Sequence, residues 1–68
     1  MLKAEEVTTA SSLSPLDRLL HEGQWRKVWF TRSHDEGLKV RFMDRVGQEM
    51  IVLDPGAGVR VRKWAPGS

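Results

Sequence analysis

Along residues 38–44 apolar and polar positions alternate one by one. Leu38, Val40 and Phe42 fall on one face of a strand, and Lys39, Arg41 and Met43 on the other. The same period of two runs through residues 59–64. Residues 24–32 are dense in aromatic and β-branched side chains, so both segments read as strands. Residues 49–53, between these, make a shorter strand, third in chain order, that is apolar on both faces, Met50 and Val52 on one and Ile51 and Leu53 on the other. The intervening stretches carry turn residues: a polar loop at 33–37 that ends in Gly37, a turn at Gly47, and Asp54-Pro55-Gly56, with Pro and Gly where a type II bend uses them.

The N-terminal third reads differently. Residues 1–12 show no periodicity and predict a mobile lead segment. Ser14-Pro15-Leu16-Asp17 matches a helix start, with a capping hydroxyl, proline at the first helical position and an acid in the first turn, and Gly23 matches a stop. The spacing predicts a helix over 14–22, with Leu16, Leu19 and Leu20 on one side and His21 near the C-terminal end, where its cation suits the dipole. Two turns are not stable alone in water, so the leucines must dock on the sheet and cover the second face of strand 49–53. Residues 65–68 read as a frayed tail. The expected architecture of 13–64 is α+β but mainly β: one short N-terminal helix followed by a four-stranded antiparallel meander over 24–32, 38–44, 49–53 and 59–64. The sheet would stay open or close into a small SH3-like or Sm-like barrel.

Strand parity then assigns faces. With Leu38, Val40 and Phe42 pointing inward, the matching inward sets are Val28 with Phe30, and Val59 with Val61. The outward set is Trp25, Lys27, Trp29, Lys39, Arg41, Arg60, Arg62 and Trp64, five cations and three indoles. Trp25, which follows the helix stop, is expected to pack on Leu19 and Leu20. Trp64 is expected to stay exposed.

Composition sharpens this picture in three places. A chain of 68 residues without cysteine has neither disulfides nor thiolate metal sites to add to a small core. The net charge of +2 is uneven: residues 1–22 carry two cations against four acids, and residues 23–68 carry nine against five, so the strand region is the basic part. Arginine outnumbers lysine seven to four while asparagine and tyrosine are absent, the usage of a GC-rich genome and so of a bacterium or its phage. No stretch nears the ~18 apolar residues of a membrane span, and a cytoplasmic protein with no membrane partner is expected.

A basic and aromatic sheet face suits two kinds of partner. Indoles stack on nucleic-acid bases while Arg and Lys meet phosphates, and Trp and Arg are also the residues enriched at protein-interface hot spots. Small curved sheets with stacking aromatics occur in SH3-like, Sm-like and OB-type barrels, although no motif in this chain is diagnostic of any of them. Catalytic signals are absent. His34-Asp35-Glu36 reads as a solvated turn, Ser11, Ser12, Ser14 and Ser33 have no base that the sequence singles out, and Gly56-Ala57-Gly58 lacks the fingerprint and following helix of a phosphate loop. No catalytic residue, metal ligand or cofactor is assigned. The sequence therefore predicts a non-enzymatic binding module, a small bacterial or phage regulator that contacts nucleic acid or a nucleoprotein machine. The alternative is an inhibitor or adaptor that binds a larger host enzyme such as RNA polymerase, and edge-strand pairing into a homodimer is open to either.

Overall fold

The computed structural model describes residues 1–66. Six strands are joined in one antiparallel sheet: β1 (Leu2–Thr9), β2 (Arg18–His21), β3 (Gln24–His34), β4 (Gly37–Phe42), β5 (Met50–Leu53) and β6 (Gly58–Trp64), with a 3-10 turn at Ala10–Ser12. The order across the sheet is β1-β6-β2-β3-β4-β5. The fold is thus mainly β, as the alternation predicts, but among the described residues it has six strands instead of four and no α-helix. The sheet is open, with β1 and β5 as its edges, and is not a closed SH3-like or Sm-like barrel.

The expected helix over 14–22 is instead a turn followed by a strand. Ser14 and Asp17 do make a local pair, Ser14 N–H donating to Asp17 Oδ2 at 2.9 Å, but Leu16 at φ 75° diverts the chain from a helical path. Arg18–His21 then pairs with Gln24–Lys27, His21 opposite Gln24, across a two-residue turn in which Glu22 (φ 51°) and Gly23 (φ 78°) are both left-handed. Two positive φ angles in succession are the mark of a type I′ hairpin turn, so Gly23 begins a hairpin where it was expected to end a helix. The leucines alternate as a strand requires, with Leu19 buried and Leu20 on the outer face.

Residues 1–12 also depart from expectation. β1 pairs with β6 from Glu5 opposite Arg62 through Thr9 opposite Gly58, and Met1 and Ala65 exchange backbone hydrogen bonds of 2.8 and 2.9 Å. Ala65 is therefore tied in, while residues 67 and 68 of the expected frayed tail lie outside the described residues. Only β3, β4 and β5 follow the expected meander. β6 leaves β5 and crosses to the other half of the sheet, where Val61 lies between Glu6 and Leu19.

Inward parity holds at Val28, Leu38, Val40, Phe42 and Val61, which form the core with Ala10, Leu13 and Leu19 while Val59, Ile51 and Leu53 pack against it. It fails at Phe30. Val28 pairs with Phe42, yet the next pair is Phe30 with Arg41, so Trp29 is an extra residue in β3. A bulge of this kind shifts the alternation by one, turns Phe30 outward and bends the strand. β3 therefore belongs to two half-sheets, β1-β6-β2-β3 and β3-β4-β5, whose inner faces share one core. Among the described residues no helix covers the second face of β5, and Met50 and Val52 remain 49% exposed.

Two turns refine the picture. In Asp54-Pro55-Gly56, Ala57 N–H closes onto Asp54 O at 2.9 Å, but Gly56 is not in the positive-φ region, so the bend is not type II. Asp54 Oδ1 accepts Gly56 N–H at 2.9 Å, which steadies it as an Asx turn. Gly37, at φ 136°, closes the β3–β4 hairpin, and a Cβ there would meet Leu53 O at 2.8 Å.

Candidate functional site

The outward residues of the first half-sheet fall in register. Lys27 on β3 is opposite Arg18 on β2, Arg18 is opposite Arg62 on β6, and Arg62 is opposite Glu5 on β1. Three cations thus cross three adjacent strands in one row, about 5 Å from strand to strand. Trp25 lies on the same face, beside Leu20, and Arg60 and Trp64 lie on it along β6. Trp25, Trp29 and Trp64 are 38%, 44% and 41% exposed, so no indole is enclosed. Trp29 sits in the bulge with its ring 5.3 Å from that of Phe30, edge to face, at the boundary between the half-sheets.

The eight predicted residues all project from the outer side, but the fold does not gather them into one patch. Lys39 and Arg41 lie beyond the bulge, in a groove of about 220 Å³ lined with Phe30, Arg32, His34 and Met50. There the Arg41 guanidinium stands 5.9 Å from the Phe30 ring centroid. Trp25 and Lys27 instead line a cleft of about 460 Å³ with Arg18 and the segment Met43, Asp44, Arg45 and Val46 of the β4–β5 loop. Arg60 is partly spent on Glu5, at 3.7 Å, and Arg62 Nε donates to Lys3 O at 2.9 Å.

Arg18 and Arg45 were missed by sequence reasoning. Arg18 falls inside the stretch 14–22 that the spacing reads as a helix, and Arg45 lies in a loop with no alternation to assign it. The signal for Arg18 was its neighbourhood, since Arg18-Leu19-Leu20-His21 also fits a short strand with Leu19 inward. Phe30 and Arg32 were missed because nothing local announces the bulge.

A buried clasp fixes the wall of the larger cleft. Arg26, inward on β3 and 3% exposed, lies over the Phe42 ring at 4.7 Å and directs its nitrogens to the β4–β5 loop. Nε donates to Asp44 Oδ2 at 2.8 Å, one Nη donates to Gly47 O at 3.1 Å, and the other lies 3.2 Å from Glu49 Oε1. Asp44 also accepts the N–H groups of Lys27 at 2.9 Å, Val46 at 2.9 Å and Gly47 at 3.3 Å. The Arg26 guanidinium, helped by these three amides and opposed by burial, holds the Asp44 carboxyl well below the usual carboxylate range, at about 2. In return Asp44 raises the Arg26 pKa further.

Among the described residues, no three His, Cys, Asp or Glu side chains come together as a metal-binding group, and no helix is long and apolar enough to cross a membrane. His34, Asp35 and Glu36 stand at the β3–β4 hairpin, exposed to solvent. His21 has no helix end to cap. It lies inward near Phe42, ring centroids 5.7 Å apart. Comparison with protein families, curated proteins and solved structures returned no match.

Proposed function

We propose that the chain is a non-enzymatic binding module that holds single-stranded nucleic acid on the outer face of β6, β2 and β3, as a small regulator in a bacterium or its phage. The observation that carries this reading is the row Lys27, Arg18 and Arg62, none of which has a carboxylate within 4.0 Å among the described residues. Cations that do not neutralise the protein's own acids are available to neutralise phosphates, and exposed indoles beside them give bases a surface to stack on. The half-exposed rings favour an unstacked single strand over a duplex, whose bases are not open to them.

A labelled oligothymidylate titrated with the protein at low salt tests this, read by fluorescence anisotropy. Saturable binding that falls about tenfold in the Arg18→Ala, Lys27→Ala double variant supports the reading, two phosphate contacts being lost. A flat titration of the wild-type protein contradicts it.

One observation favours a second reading, that of an inhibitor or adaptor bound to a larger enzyme such as RNA polymerase. β5 is an edge strand with an open side, its residues are Met50, Ile51, Val52 and Leu53, and it carries none of the charges that guard such edges. A strand from another protein, or from a second copy of this chain, could extend the sheet there. Capture of a protein partner from nuclease-treated lysate by the wild-type chain, and not by Val52→Lys, supports it. Equal capture by both contradicts it.

A further inference from the structure

The cleft beside Trp25 is built unlike the rest of the outer face. Its floor is sheet, supplied by Arg18, Trp25 and Lys27, and its wall is the β4–β5 loop. That loop is anchored: Met43 N–H donates to Lys27 O at 3.0 Å, and Asp44 is clasped by Arg26 and by the Lys27 amide. The cleft is therefore present before any ligand arrives, which removes part of the ordering cost of binding.

Its chemistry has two poles. Arg18, Lys27 and Arg45 have no carboxylate within 4.0 Å among the described residues. The one acid in the lining, Asp44, has its negative charge compensated by the Arg26 guanidinium and both oxygens taken by N–H donors, so it does not repel an anion. The apolar pole is the Trp25 indole on the sheet side, with Met43 and Val46, 44% and 54% exposed, on the loop side. A ligand that matches both poles is flat and apolar at one end and anionic at the other.

We infer that this cleft is the seat of one nucleotide of the bound strand, its base against Trp25 between sheet and loop and the phosphates on either side of it met by Arg18, Lys27 and Arg45. This rests on the single-stranded nucleic-acid reading above and names the place where the strand is held most closely. Arg26, on the inner side of the sheet, holds the loop that carries Asp44, Arg45 and Val46. The groove of Phe30, Lys39 and Arg41 is peripheral to this contact.

The test uses the full chain and an oligothymidylate of about ten nucleotides, a length within the span of small β-domain sites. Three variants are compared with wild type by anisotropy: Trp25→Ala, Arg45→Ala, and the control pair Lys39→Ala with Arg41→Ala. All alter partly or fully exposed side chains, and thermal unfolding verifies that each folds. Trp25→Phe, which keeps a ring, guards against a misfolded Trp25→Ala. Weakening of about tenfold in Trp25→Ala, near-complete recovery in Trp25→Phe, and several-fold weakening in Arg45→Ala are expected, with a smaller loss in the control pair. If the oligonucleotide binds Trp25→Ala and Arg45→Ala as tightly as wild type, the cleft is not the seat, although the nucleic-acid reading survives. If wild type itself does not bind, the nucleic-acid reading falls, and the inference with it.

Discussion

The Lys63 ammonium lies 2.6 Å from Oδ2 of Asp17, a carboxylate that is 1% exposed. Around this pair the chain's far ends are tied together. Asp17 Oδ1 accepts the Trp64 N–H at 2.8 Å, Oδ2 accepts the Ser14 N–H at 2.9 Å, and Lys63 also donates to Ser12 O at 2.6 Å. Asp17 thus joins the turn before β2 to the end of β6, and it fixes the strand that carries Arg62 and Trp64.

Removing that carboxylate should be among the most damaging single changes in the protein. Asp17→Ala leaves two amides and an ammonium without their acceptor, at a cost of about 3 kcal/mol. Asp17→Asn keeps the shape and one acceptor oxygen and should cost less. Chemical denaturation measures both. A loss below about 0.5 kcal/mol for Asp17→Ala, the range of ordinary surface changes, would remove the hub from the account.

The Arg26–Asp44 clasp sets a pH dependence. Asp44 is held down to about 2 in the folded protein against 3.8 as its ordinary value, so the folded state binds this proton less readily than the unfolded chain. Its contribution is complete above about pH 4 and is lost as pH falls toward about 2, on the order of 1–2 kcal/mol over that interval. Asp44→Asn should flatten this part of the stability–pH curve and lower stability at pH 7. An identical acid limb in wild type and Asp44→Asn would show that the clasp is not what titrates.

Gly37 should resist replacement more than Gly23. A side chain at Gly37 combines a φ of 136° with a contact of 2.8 Å to Leu53 O, a backbone atom that cannot swing aside, whereas nothing lies within 4 Å of the Cβ position at Gly23. Gly37→Ala is expected to cost about 2 kcal/mol or more and Gly23→Ala about 1, the ordinary penalty of a left-handed residue. Thermal unfolding of the two variants checks the order, and the reverse order would contradict it.

Legibility in the sequence followed burial. β4 and β6 stand out because one face of each is in the core and the other is not, so Val40 and Val61 announce themselves by alternation. β1 is silent for the converse reason: apart from partly covered positions at Leu2 and Thr8 it is exposed along its length, and backbone pairing to β6 holds it, which leaves no side-chain pattern to read. β2 is only four residues long, too short to separate a period of two from one of 3.6, and Ser14-Pro15-Leu16-Asp17 supplied a convincing helix start whose Ser14–Asp17 contact is real but belongs to a turn. Of the candidate face, the outward parity of Trp25, Lys27, Arg62 and Trp64 is readable. The partition at Trp29 is not, and neither are contacts between residues far apart in the chain, such as Arg26 with Asp44 and Asp17 with Lys63, since those depend on the crossover of β6 and on the packing of the β4–β5 loop.

The three indoles also make their own environment measurable. Each is between a third and a half exposed, so a small neutral quencher should reach all three in the native protein, and emission should shift only modestly to the red on unfolding. A strongly blue-shifted, quencher-resistant native spectrum would mean that the rings are enclosed and that the outer face is not as described.

The most direct measurement is the salt dependence of tryptophan quenching by an oligothymidylate. If Arg18, Lys27 and Arg62 each release a counterion from the strand, log K should fall with log salt at a slope of about −2, the value for three phosphate contacts on a single strand. The slope should become shallower by about 0.7 in Arg18→Ala. Quenching that ignores ionic strength, or a slope that Arg18→Ala leaves unchanged, would contradict the assignment of this cationic row as the surface that holds nucleic acid.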